Sequence, residues 1–315
     1  MKKIKFIAGF LIILIIFIYG CAPKTDASTS KKTAIGKGAE GIIINFLKDN
    51  PQNNYLVSEQ EEPITAIIEI RNKGSYPEQE AQSELTRGQI FLSGFDKNII
   101  RDIKESERLD RKFLQGKSSI NPEGGFDTVE FKGTIASENI VIDKYEPTIL
   151  ATICYPYATK ASPTICIDPF PFDEKQKKVC KIGSQNLQNQ GAPIAITKID
   201  QEASSSKIQF KISLKNVGKG DVISLNALEK CNPNVGSNQG LQREDFDKVE
   251  LVRAEAGIAT LNCELSSSGN IIRFYNGEGF ILCSLDKENN KFRKFLFRNT
   301  KLRQIEGINN YILKH

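Results

Sequence analysis

Two stretches of the chain alternate apolar and polar residues with period two. In Lys207–Leu214, Ile208, Phe210, Ile212 and Leu214 fall on one side and Lys207, Gln209, Lys211 and Ser213 on the other, the pattern of a half-buried strand. In Pro63–Ile70, Ile64, Ala66, Ile68 and Ile70 share a side, with Thr65 and Glu69 opposite and Ile67 breaking the rule. Each stretch ends in Asn-x-Gly, at Asn72–Gly74 and at Asn216–Gly218. One device used twice, 144 positions apart, reads as a degenerate tandem duplication.

Further strands are expected between turn residues. In the first half they are Ile42–Phe46, Gln89–Leu92 and Phe95–Ile100 around Gly94, Thr128–Ile135, Ile140–Ile142 and Thr148–Tyr155. In the second they are Pro193–Ile199, Lys248–Val252, Thr260–Leu265, Phe292–Phe297 and Asn310–Leu313. Ile271–Tyr275 and Gly279–Cys283 flank Asn276-Gly277, the favoured two-residue hairpin turn. The charged run 101–114 is expected as a short surface helix, and 229–247 as a polar loop. The density of short strands makes the fold class all-β, with a sandwich in each half.

The N-terminus departs from this pattern. Lys2, Lys3 and Lys5 precede an uncharged run from Phe6 to Tyr19 that ends at Gly20-Cys21, the layout of a secretory signal. Ile18-Tyr19-Gly20-Cys21 resembles a bacterial-type lipobox, which implies lipidation of Cys21. The alternative is an uncleaved signal anchor, for which the run is short against the roughly 20 residues of a spanning helix. Both place the lysines inside the cell and the body on the extracytoplasmic face of a membrane. The expected organisation is a signal peptide or anchor over 1–21, a Ser/Thr/Lys/Gly-rich flexible linker over 22–40, a sandwich over 41–153, a cysteine-containing connector over 154–191 and a second sandwich over 192–315.

Composition narrows the chemistry. The single histidine is the last residue, His315, so no Ser-His-Asp or Cys-His arrangement and no histidine-based zinc site can be assembled in the body. The net charge of +5, part of it from the signal lysines, argues for no nucleic-acid partner. Lys291, Arg293, Lys294, Arg298, Lys301 and Arg303 are read as the outer face of a strand that guards an edge. No Asp-rich calcium loop is present, and neither metal nor cofactor is expected.

After Cys21, six cysteines remain: Cys154, Cys166, Cys180, Cys231, Cys263 and Cys283. In an exported chain an even number reads as disulfides. Of the fifteen possible pairings, the expected one is Cys154–Cys166, Cys263–Cys283 and Cys180–Cys231, the first pinning a hairpin around a Pro/Ser turn. Asp168-Pro-Phe-Pro-Phe172 must be extended.

Ile68-Glu-Ile-Arg-Asn-Lys-Gly74 and Ile212-Ser-Leu-Lys-Asn-Val-Gly218 resemble the start of immunoglobulin-like modules of the cell-adhesion-related kind on prokaryotic surfaces. With its anchor, spacer and β-modules the whole chain is similar to archaeal surface proteins. The resemblance implies tandem immunoglobulin-like sandwiches, and it carries no catalytic, cofactor or binding residue over. The function expected is that of a non-catalytic envelope protein whose sheet faces or edges meet another envelope protein. A solute- or glycan-binding lipoprotein is the alternative, although the chain has no tryptophan to stack on a sugar. A hydrolase would have to draw on carboxylates such as Asp168, Asp173 and Glu174.

Overall fold

The computed structural model describes residues 36–79, 88–109, 114–136, 144–168, 171–174, 180–257, 259–265 and 270–287, and the backbone of 305–314. The expected signal segment with Cys21, the expected linker up to residue 35, the strands expected at 140–142 and 292–297, and the basic set between 291 and 303 lie outside these residues.

The described chain is almost entirely β, and every strand pair is antiparallel. The first half holds β1 (Ile42–Phe46), β2 (Glu62–Asn72), β3 (Gln89–Ser93), β4 (Ile100–Arg101), β5 (Ser106–Arg108), β6 (Phe126–Ile135) and β7 (Leu150–Ala161). The second holds β8 (Gln185–Asn186), β9 (Ile194–Ala203), β10 (Lys207–Asn216), β11 (Asp221–Ile223), β12 (Lys248–Leu251), β13 (Glu255–Ala256), β14 (Ala259–Thr260), β15 (Asn262–Glu264), β16 (Ile271–Arg273), β17 (Glu278–Asp286) and β18 (Ile305–Lys314).

Seven strands of the second half, β9, β10, β12 and β15–β18, match the seven of the first in their sheet order. One sheet runs β1-β2-β6-β4, and its counterpart runs β9-β10-β17-β15 with β8 added beyond β9. A third, long sheet runs β5-β3-β7-β18-β12-β16, with β11 also on β18. It joins two three-stranded pieces, one from each half, through their last strands: Tyr157 of β7 lies opposite Asn310 of β18.

Side-chain alternation fixes which way each layer faces. On β7, Ile153, Tyr155 and Tyr157 enter the core shared with β1, β2 and β3, and Ala161 enters the core shared with β9, β10 and β17. All four are odd-numbered, so the two smaller sheets lie against the same face of the long sheet. β7 therefore runs unbroken across position 153, where the first sandwich was expected to end, and contributes to both cores. Each isoleucine moved from water into such a core stabilises the fold by about 1.5–3 kcal/mol.

The opposite face of the long sheet is covered by the 229–247 loop. Cys154 and Phe91 on that face pack with Ile223, Leu228 and Cys231. A 3₁₀ turn, Leu225–Lys230, leads into the loop. The loop is tied down by a Cys154–Cys231 disulfide, by the Asn234 amide donating to the Leu92 carbonyl (2.8 Å), and by Lys230 Nζ lying 3.1 and 3.0 Å from the two Asp245 carboxylate oxygens.

The disulfides are Cys154–Cys231, Cys166–Cys180 and Cys263–Cys283. The third is the expected pair, on directly opposed positions of β15 and β17. The other two correct the expectation. Cys154 and Cys166 do not flank a hairpin, because β7 runs straight on to Ala161. Seven residues of strand carry the chain roughly 23 Å from Cys154 by Ala161, and Cys166 beyond it bridges to Cys180 instead. The helix expected over 101–114 is also absent from its described part. Arg101 ends β4, and Ser106–Arg108 pair with Phe91–Gln89; a neighbouring strand outweighs the charge pattern there. The Asn276-Gly277 turn forms as expected, with both residues at positive φ (50° and 75°). Its two arms then diverge, β16 into the long sheet and β17 into the second smaller sheet.

Candidate functional site

The junction between the halves is a polar network centred on Tyr157. Its hydroxyl accepts a hydrogen bond from the Tyr76 N–H (3.2 Å) and lies 3.3 Å from Asn72 Oδ1 and 3.4 Å from the Gly191 carbonyl. Two residues before it, the Tyr155 hydroxyl accepts from the Ile42 N–H (2.9 Å) at the start of β1. Two residues after it, the Thr159 hydroxyl donates to the Ile194 carbonyl (2.7 Å) at the start of β9. Alternate residues of one strand thus hold β1 of the first half and β9 of the second. Burial pushes both tyrosine phenols far above their ordinary pKa, Tyr155 further raised by its neighbour Tyr157. These groups are structural: buried, paired and closed to solvent.

Gly36–Glu40, expected as the end of the free linker, are held in this junction. The Gly36 N–H donates to Ser75 Oγ (3.0 Å), and the Gly38 and Gly41 carbonyls accept from Gly191 (3.2 Å) and Lys73 (2.8 Å). Gly74 is required here, because a Cβ would collide with the Tyr157 hydroxyl and with the carbonyls of Glu40 and Gly191.

The open surface of the molecule lies at its strand edges. Along β1 the ladder to β2 is carried by odd residues: Gly41 accepts from Lys73, and Leu47 donates to Ile67. Even residues point their backbone groups away from β2, and the Tyr155 hydroxyl takes up those of Ile42. The outward N–H and C=O groups of Ile44 and Phe46 have no partner among the described residues. β1, Ile-Ile-Ile-Asn-Phe, carries no charge, and Phe46 is 37% exposed. The other edges are shorter: β4 and β8 are two residues each, and β5, β15 and β16 three.

Of the carboxylates considered for hydrolysis, Asp168 acts by its charge on Lys287, whose pKa burial lowers against that attraction. Asp173 and Glu174 stand half-buried and exposed in the next turn. All six described cysteines are in disulfides, and no group of three possible metal ligands occurs among the described residues. Among the described residues no helix is long and apolar enough to cross a membrane.

One buried group is unexplained by packing. Gln201 on β9 is 8% exposed, and neither atom of its side-chain amide has a hydrogen-bond partner. It points into the second core from a position opposite Phe210. Neither Gln201 nor the tyrosine network was foreseeable, because both depend on which strands become neighbours. No family model matches the chain, and neither a curated protein nor a solved structure does.

Proposed function

We propose that the chain is a non-catalytic cell-envelope protein. It is held at the extracytoplasmic membrane surface by its N-terminal segment, through lipidated Cys21 or a signal anchor, and presents two immunoglobulin-like sandwiches to another envelope protein. In this reading β1-β2-β6-β4 and β9-β10-β17-β15 are the four-stranded layers of the two sandwiches. β7 and β18 are the last strands of the two sandwiches, and they pair with each other across the junction.

The observation that carries the reading is the uncharged edge of β1, with outward backbone groups at Ile44 and Phe46 left open. Such edges recruit extended chains. The test is a crosslinking pull-down from native membranes read by mass spectrometry. A reproducible set of envelope proteins is the expected result; recovery of the bait alone would sink the reading. The unpaired amide of Gln201 favours the alternative, a solute-binding lipoprotein, which a thermal-shift screen of small solutes would expose.

A further inference from the structure

We infer that β1 is the edge through which two copies of this chain pair, antiparallel, about a two-fold axis at Asn45. The inference rests on the reading above of β1 as an open interaction edge, and it assigns that edge to a second copy of the chain rather than to a different envelope protein.

The backbone geometry sets the register. Partner groups must come from residues that also point outward, and these are Ile44 and Phe46. Antiparallel pairing that sets Ile44 of one copy against Phe46 of the other satisfies all four groups on each edge. It also sets Asn45 against Asn45. The Tyr155 hydroxyl already occupies the outward groups of Ile42 and so ends the pairing on that side.

Three observations favour a second copy over a foreign strand. The edge is its own complement, since a two-fold axis at Asn45 returns the same hydrogen-bonding groups. The flanking charges allow it: Glu40 is exposed just before the strand and Lys48, followed by Asp49, just after it, and antiparallel pairing brings Lys48 of one copy within reach of Glu40 of the other, between that residue and Asp49. Finally, the chain already uses this construction internally, where the equivalent last strands β7 and β18 join edge to edge.

The test uses the full chain purified in detergent. Asn45→Cys should give a disulfide-linked dimer under mild oxidation. Lys132→Cys, exposed on β6 of the same sheet, should give no more than the wild-type background. Asn45→Lys and Asn45→Glu each place like charges face to face. Each should sediment as a monomer where the wild type shows concentration-dependent dimer, and mixing the two variants should restore association.

A wild type that stays monomeric at every concentration overturns the proposal. So does equal crosslinking at Lys132, or a mixture that does not re-associate. If Asn45→Cys instead crosslinks a different protein in native membranes, self-pairing fails while the interaction reading stands. An empty pull-down would remove that reading separately.

Discussion

Asn72 and Asn216 make the same hydrogen bonds in the two halves of the molecule. Each side-chain oxygen accepts from the N–H two residues on, Gly74 (3.0 Å) or Gly218 (3.1 Å). Each side-chain amide donates to the carbonyl four residues on, Tyr76 (2.7 Å) or Gly220 (2.9 Å). Each backbone N–H donates to a glycine, Gly125 or Gly277, just before or at the start of the next strand of its sheet. The repeated Asn-x-Gly is therefore a fold device and not a ligand motif.

The two asparagines differ in burial, and this sets their cost. Asn72 is fully buried and also donates to the Leu114 carbonyl (2.8 Å), whereas Asn216 is half-buried. Asn72→Ala should lose about 3 kcal/mol and Asn216→Ala about 1 kcal/mol, since only the first strands a buried carbonyl, that of Leu114. Urea unfolding of both variants would show it; equal losses would mean that burial is not what matters.

Tyr155 and Tyr157 make stability depend on alkaline pH. In the folded chain burial holds both phenols protonated well above the unfolded value of about 10. The unfolded chain releases those protons first, so this stabilisation is complete below pH ~10 and falls as pH rises beyond it. The Tyr155→Phe/Tyr157→Phe pair should flatten that slope while losing roughly 1–3 kcal/mol per hydroxyl at neutral pH. An unchanged slope in melts between pH 8 and 11 would contradict this.

Gln201→Leu should stabilise the chain by about 1–3 kcal/mol, because it removes a buried amide with no partner and keeps an apolar side chain against Phe210. A thermal melt decides. Destabilisation would show that the amide holds something in the native protein, and would shift weight toward a bound solute.

The 229–247 cover should open without the rest of the fold. Burial alone would raise the Asp245 pKa, but the Gln242 N–H and the Lys230 ammonium hold it below the ordinary value. Its stabilising contribution is present above the unfolded pKa of about 3.9 and is lost as pH falls through the lower folded value. Ser at both Cys154 and Cys231, which close a 77-residue separation, should cost about 2–4 kcal/mol. Limited proteolysis should then cut within 229–247 first, faster still in acid; cutting elsewhere first would refute the cover.

Much of the local structure was legible. The alternation in Lys207–Leu214 named both the strand and its buried face, and Asn276-Gly277 named its turn. Strand partners were not legible, because alternation says which way a side chain faces and nothing about which strand lies alongside. Sequence proximity therefore pairs Cys154 with Cys166, whereas its partner, Cys231, arrives with a loop 77 positions away. Arg101 to Leu114 read as helix for the same reason: the strand that recruits Ser106–Arg108 is β3, some fifteen residues earlier. The open edge at Ile44 and Phe46 became visible only once the ladder's parity was known.

Where the chain enters its folded body also decides how it bears force. A pull arriving through Gly36 reaches Ser75 from the first half and Gly191 beside the second before it reaches any strand. Load on the N-terminus is therefore delivered to the seam and shared by both halves, instead of peeling β1 from the first. Under tension Gly36–Gly41 should be the first point of release, and only after it gives way does the load reach Ile42 and β1.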